Sequence, residues 1–119
     1  MRGGFANAGW LRYLWCMTIV TVFRSRLREG VESEFQLADA EMSRIAASIE
    51  GFIDQKSYVA VDGERVTIVR FADKESHRTW AEHPEHLAVQ RRGREVFYSW
   101  YDISVGEASY VHLFGDPDV

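Results

Sequence analysis

The sequence contains one cysteine, Cys16, among 119 residues. A single thiol excludes an internal disulfide framework and any zinc site that needs several thiolates. No apolar stretch reaches the roughly 18 uninterrupted residues of a transmembrane helix, so we expect no membrane partner. Basic residues are outnumbered, with 14 lysines and arginines against 18 aspartates and glutamates and a net charge of −4. A mildly acidic chain lacks the electrostatic footprint of a nucleic-acid-binding protein.

Motifs for bound cofactors and common nucleophiles are also missing from the sequence. No glycine-rich loop stands between a strand and a helix in the arrangement that cradles phosphates. No GxSxG segment is present, and the serines have no evident base partner. We therefore expect no cofactor.

What remains is typical of one small domain with short terminal segments. Apolar residues make up 46% and charged residues 27%, which are ordinary values for a globular protein. Residues 1–16 hold two of the four tryptophans and no acid, and no signal-peptide cleavage site follows them. We expect an extension over 1–16, a domain over 17–114, a frayed tail over 115–119 and a cytoplasmic location.

The apolar pattern of the domain alternates between strand and helix periodicity. Turn or cap signals separate the segments: Glu29-Gly30, Gly51, Asp62-Gly63, Asp73 and Pro84. The pattern predicts, in order, a strand over 18–27, a helix over 31–50, strands over 52–61 and 64–72, a short helix over 74–81, a helix over 84–98 and a strand over 100–113.

This order is that of the ferredoxin-like βαββαβ fold of the α+β class. It predicts a four-stranded antiparallel sheet with the helices on one face. The first strand, however, is apolar on both sides, with Ile19 and Phe23 opposite Val20 and Val22. Helices on one face leave the other face bare, and monomers seldom expose so large an apolar area. We therefore expect a homodimer in which two sheets pack face to face.

Three of the four histidines, His77, His83 and His86, lie within ten residues. Their spacing differs from the i, i+4 pair of zinc proteases, so we expect no metal site. One interpretation is a helix start at Pro84, with His83 near the cap and His86 partly exposed. The other gives His77 or His86 a pocket role as a proton acceptor or hydrogen-bond donor.

Aromatic side chains are available to line a pocket. Trp80 follows His77 by three residues, on the same side of a helical turn, where it is either core or a pocket wall. Further aromatic surface is provided by Tyr58, Phe97, Tyr98, Trp100 and Tyr101, with sheet or dimer packing as the alternative. Arg70 is expected to face inward as a cation. We assign substrate binding to Tyr58, Arg70, Phe97 and Tyr98.

In this order, several segments together resemble the antibiotic biosynthesis monooxygenase family, over about residues 17–114. The segments are the strand Thr18–Leu27 with Arg28-Glu29-Gly30, the junction Glu50-Gly51-Phe52, the strand Arg65–Phe71, and Trp80 followed by His83-Pro84-Glu85-His86, by residues 90–95 and by Phe97-Tyr98. The resemblance implies a dimeric α+β barrel made of two ferredoxin-like subunits, in agreement with the two-sided strands.

The resemblance also implies a function. Several members of the family oxidise phenols, anthrone-like polyketides or quinols with molecular oxygen and without metal or flavin. Trp80 matches a tryptophan that lines the pocket in some members. With His77 or His86 as the base, we predict His77, Trp80 and His86 as catalytic residues of a cofactor-independent monooxygenase that takes a small aromatic substrate. The alternative is a non-catalytic binding or structural module of the same fold.

A related branch of the family degrades haem with a first-strand asparagine, this tryptophan and a histidine about ten residues later. Here the corresponding positions hold Phe23 and Gln90. Two of the three residues are thus absent, which argues against haem cleavage.

Overall fold

The structure is a computed structural model that describes residues 17–118. The predicted extension over 1–16, which includes Cys16, lies outside the described residues. Within residues 17–118, no helix is long and apolar enough to span a bilayer. The elements are β1 (Thr18–Leu27), α1 (Glu32–Ser48), β2 (Phe52–Val59), β3 (Arg65–Phe71), α2 (Lys74–Ala81), α3 (Pro84–Arg92), a π-helical segment (Gly93–Phe97) and β4 (Tyr98–Ala108).

The four strands form one antiparallel sheet in the order β2-β3-β1-β4. This is the predicted ferredoxin-like topology, and it places β1 and β3 at the centre of the sheet. On β1 and β3, the residues that face the helices are the buried ones, among them Ile19, Val69 and Phe71. The core consists of Ile45, Ala46, Val69, Phe71 and Trp80, with Ile49 and Phe52 packed against it.

Side-chain caps begin the two short helices, as the sequence predicts. Asp73 Oδ1 accepts a hydrogen bond from the backbone N–H of Ser76 at 2.8 Å, at the start of α2. His83 Nδ1 accepts one from the N–H of Glu85 at 3.1 Å, and Pro84 occupies the first turn of α3. These caps satisfy N–H groups that have no partner within the helix. The Asp73 cap thus sets the start of α2, the helix that carries His77 and Trp80.

The last two elements differ from the predicted bounds. The helix expected over 84–98 is α-helical only to Arg92, and β4 runs over Tyr98–Ala108 rather than 100–113. A Cβ on Gly93 would lie 2.6 Å from Cε2 of Tyr98, so the glycine lets the Tyr98 ring pack close to the backbone. β4 ends at Ala108 because its partner there is Thr18, the first residue of β1. The alternating residues that follow Ala108 have no neighbouring strand with which to pair.

Gly51, just after α1, combines a backbone constraint with a steric one. Its φ is +102°, and an added Cβ would lie 2.5 Å from Cβ of Ser76. We expect Gly51→Ala to lower the free energy of unfolding by about 2–5 kcal/mol, the sum of a left-handed backbone penalty and overpacking. Urea denaturation of the purified variant measures the loss.

Gly30 provides the matched control, because its φ is +81° but nothing lies within 4 Å of the added Cβ. Gly30→Ala therefore carries only the backbone penalty of about 1–2 kcal/mol. Equal losses for the two variants would show that the contact with Ser76 has no energetic weight.

Candidate functional site

A cavity of about 190 Å³ lies between the helices and the helix-facing side of the sheet. Its floor is formed by alternate residues of the two central strands, and its roof by α1, α2 and α3. The lining is mainly apolar, so a bound aromatic ring would exchange water for hydrocarbon contacts. The lining residues are Thr21, Phe23, Phe35, Ala38, Asp39, Met42, Gln55, Thr67, Val69, His77, Trp80, Ala81, His86, Val89, Gln90, Phe97, Tyr98, Tyr101, Ile103 and Val105.

His77, Trp80 and His86, which the sequence singles out, meet at one part of this wall. The ring centroids of His77 and Trp80 are 5.8 Å apart, and those of Trp80 and His86 are 4.4 Å apart. The spacing of three residues on α2 brings His77 and Trp80 together, while α3 supplies His86. Phe71 packs under both His77 and Trp80. The result is a compact aromatic group with two imidazoles.

The imidazole of His77 is held in place from the sheet. Its Nε2 lies 3.4 Å from Oγ1 of Thr21 on β1. Burial lowers the pKa of His77, because the charged imidazolium loses hydration there. A neutral imidazole at the wall of an apolar cavity can accept a proton from a bound phenol.

His86 is in a more enclosed position, and it differs from the interpretation in which it is partly exposed. It is only 6% exposed, because α3 turns it toward Trp80. Nδ1 of His86 lies 3.3 Å from the carbonyl oxygen of Ala81, to which a protonated Nδ1 donates. Burial lowers the pKa of His86 despite that hydrogen bond. His86 is therefore a buried imidazole, neutral at neutral pH, that packs against Trp80.

Trp80 has an unpaired polar atom. Its Nε1 is buried and has no hydrogen-bond acceptor within residues 17–118. Buried donors are nearly always paired in native proteins, so an unpaired one calls for an explanation. Because Trp80 lines the cavity, an oxygen atom of a bound ligand is a suitable acceptor.

A second group of aromatic rings lines the cavity beside β4. Phe23 lies 5.4 Å from Tyr98 and 5.5 Å from Tyr101, centroid to centroid. Phe35 of α1 makes an edge contact with Phe97 at 5.8 Å. Burial raises the pKa of Tyr98 to about 12. Tyr98 therefore remains protonated at neutral pH.

Two residues predicted to bind substrate lie away from the cavity. Tyr58 and Arg70 are on the helix-free face of the sheet, away from the cavity. Arg70 does not face inward, because it is adjacent to Val69, whose side chain occupies the helix side. Its guanidinium instead pairs with Asp54 at 2.6 Å. The other two assigned residues, Phe97 and Tyr98, do line the cavity.

Sequence reasoning also overlooked polar members of the wall. Asp39, Gln55 and Thr67 line the cavity, but nothing in their immediate sequence separates them from solvent-facing residues. Phe23 and Gln90, the positions compared with the haem-degrading branch, line it as well. Within residues 17–118, no group of three or more His, Cys, Asp or Glu side chains is placed to hold a metal ion.

Comparison with known proteins gives a family and a fold. A family model described as antibiotic biosynthesis monooxygenase matches residues 18–92, more than half of the chain. The chain is also 30% identical, over 73 residues, to YqjZ, an uncharacterized protein of Bacillus subtilis. That match covers 61% of the chain and 64% of YqjZ, slightly under two thirds of the relative's length.

Solved structures of other proteins share the fold, SnoaB and Rv0793 among them. SnoaB, a cofactor-independent oxygenase from Streptomyces nogalater, superposes with a TM-score of 0.67 at 18% identity, covering 80% of this chain and 96% of SnoaB. Rv0793 from Mycobacterium tuberculosis has a TM-score of 0.66 at 15% identity, covering 84% of this chain and 98% of its own. At these identities the likeness establishes the ferredoxin-like α+β architecture.

Proposed function

The chain belongs to the antibiotic biosynthesis monooxygenase family, and we propose that it is a cofactor-independent monooxygenase acting on an electron-rich aromatic phenol or quinol. The observation that carries the proposal is His77, a histidine of lowered pKa beside Trp80 at the wall of an apolar cavity. SnoaB, which shares the fold, is a cofactor-independent oxygenase. This makes the same type of chemistry the first candidate here.

In the proposed reaction His77 starts catalysis by accepting the phenolic proton. The resulting phenolate is electron-rich and passes one electron to molecular oxygen, giving a phenoxyl radical and superoxide. The two radicals combine at an unsubstituted ring carbon, and the peroxide formed there takes up the proton held by His77. Loss of the hydrogen on that carbon together with the distal oxygen releases water. One phenol and one oxygen molecule thus give one quinone and one water.

The cavity supports this reaction in three ways. Its apolar lining excludes water, which protects the radical pair and keeps the neutral form of His77 dominant. The unpaired N–H of Trp80 can donate to an oxygen atom that becomes negative during the reaction. The cavity walls also orient the bound ring, which raises the reaction rate because a positioned reactant avoids an entropic cost.

We also propose that the active form is a homodimer, since proteins of this family are commonly dimeric. The helix-free face of the sheet carries an apolar stripe of half-buried residues: Val20, Val22, Val66 and Ile68. Ion pairs border the stripe, Arg24–Glu64 on one side and Arg70–Asp54 on the other. An apolar centre with a charged rim is the usual arrangement of a protein interface.

Oxygen uptake tests the proposed activity. Purified protein, treated with a chelator and free of flavin by absorbance, is mixed with a panel of anthrones, quinols and naphthols in an oxygen electrode. We expect at least one compound to be consumed in equal moles with oxygen, and heat-denatured protein serves as the control. No stimulated consumption across the panel would contradict the enzymatic proposal.

The alternative, a non-catalytic module of the same fold, predicts a space filled by side chains, with both histidines directed to solvent. Among the described residues the space is an open cavity, and His77 and His86 both line it. This geometry argues against a purely structural module, and the oxygen-uptake assay separates the enzyme from a non-catalytic binding module.

A further inference from the structure

We infer that Asp39 is a specificity-determining residue whose carboxyl group binds a hydrogen-bond donor at the edge of the substrate remote from His77. The ligand class that follows is a one- or two-ring aromatic with hydroxyl or amino groups at both ends. The inference rests on the proposed function only in assigning the reacting end of the ligand to His77.

Asp39 is the acidic residue of α1 that lines the cavity. Glu32, Glu34 and Glu41 of the same helix are absent from the lining. Asp39 shares the wall with Phe35, one helical turn earlier, and its side chain is half-buried. Among residues 17–118 the influences on its carboxyl group are burial and the charge of Arg65, with no hydrogen bond.

A half-buried carboxyl group without a hydrogen-bond donor is costly unless a ligand or water supplies one. The surroundings of Asp39 increase this cost. Burial raises the pKa of Asp39, and the guanidinium of Arg65 only partly opposes that effect. Arg65 itself lies over the ring of Phe35, with its guanidinium carbon 4.9 Å from the centroid. The carboxyl group of Asp39 thus lies beside aromatic side chains at this end of the cavity.

The Asp39 and His77 groups lie toward opposite ends of β3. His77 packs against Phe71, the last residue of that strand, with centroids 6.1 Å apart. The carboxyl group of Asp39 interacts electrostatically with Arg65, the first residue of the strand, and with Tyr98. Thr67 and Val69 form the cavity floor between the two ends. A ligand that contacts both groups therefore carries its polar substituents at opposite ends of a flat apolar body.

The cavity also limits the size of that body. Its volume is about 190 Å³, and an apolar protein cavity of roughly 150 Å³ accommodates benzene. One ring or two fused rings fit within this volume. The size limit and the position of Asp39 together define a two-ended bicyclic probe.

Calorimetric binding under anaerobic conditions tests the inference without turnover. The probes are a naphthalenediol with hydroxyls at opposite ends of the ring system and the corresponding naphthol with one hydroxyl. We expect the wild-type protein to bind the diol about tenfold more tightly, the effect of one hydrogen bond to a charged group. Asp39→Ala should remove this preference, and Asp39→Asn, which keeps a neutral acceptor, should leave part of it.

Glu32→Gln is the matched control on the same helix, and it should retain the wild-type preference. A preference for the diol that survives in Asp39→Ala, or no binding of either probe by wild type at millimolar concentration, would overturn the inference. Because the assay excludes oxygen, it separates the two claims. Selective binding of the diol without any oxygen uptake would contradict only the proposed oxygenase activity. Oxygen uptake that is the same in wild type and Asp39→Ala would contradict only the role of Asp39.

Discussion

Replacing His77 with phenylalanine should lower kcat for oxygen consumption by about 10²- to 10⁴-fold, the usual contribution of a general base. Phenylalanine preserves the packing against Phe71 and Trp80 but cannot accept a proton. Steady-state oxygen uptake with the substrate identified from the panel measures the change. Anaerobic binding of that substrate should remain within a few-fold of wild type, because the lost interaction belongs to the reaction.

Two further variants separate catalysis from structure. His77→Gln can keep a hydrogen bond with Oγ1 of Thr21 but has no basic nitrogen, so it should be as inactive as His77→Phe. His112→Phe removes an exposed histidine outside the cavity and should retain full activity. Wild-type kcat in His77→Gln would contradict the assignment of His77 as base.

The pH dependence of kcat/KM follows from the same group. Burial lowers the pKa of His77 from its ordinary value of 6.5, so the neutral, proton-accepting form persists to a lower pH than in an exposed histidine. The rate should therefore be constant near neutrality and fall with acid, with a midpoint below 6.5. A midpoint above that value would identify a different base.

The fold was largely predictable from the sequence because its signals are local. β-branched residues define β1 over Thr18–Leu27, and Asp73 marks the start of α2. The end of β4 was not predictable, because alternation continues beyond Ala108 and only the start of β1 at Thr18 limits the pairing. The change to a π-helical segment at Gly93 likewise depends on a contact with Tyr98.

The site was predictable only where helical spacing determines it. His77 and Trp80 lie three apart on one helix, so their proximity follows from the sequence. Arg70 was misplaced because β3 carries apolar residues on both faces, which leaves its helix-facing side ambiguous. Tyr58 of β2 pairs with Val66 of that strand, so the same ambiguity applies to it. Asp39 was missed because a carboxylate among polar helical residues resembles a solvated one, and only the tertiary packing turns it into a cavity wall.

Ile68→Glu should convert the proposed dimer into a monomer at micromolar concentration. Ile68 pairs with Val22 of β1 and Lys56 of β2, and its side chain points to the helix-free face. A two-fold interface contains the substitution twice. Each buried, unpaired carboxylate costs several kcal/mol, so the dimer Kd should rise by at least about 10³-fold. Light scattering coupled to gel filtration measures the mass of the wild type and of the variant.

The control must add the same charge without touching that face. Leu37 is 76% exposed on α1, so Leu37→Glu should leave both the dimer and the fold intact. Val69→Glu is not a suitable partner test, since Val69 is buried against the helices and its replacement would unfold the core. A burial of about 800 Å² per subunit, typical of a stable interface, would be worth tens of kcal/mol before the costs of association. A wild-type protein that runs as a well-folded monomer at micromolar concentration would therefore refute the sheet-to-sheet dimer, whatever the variant does.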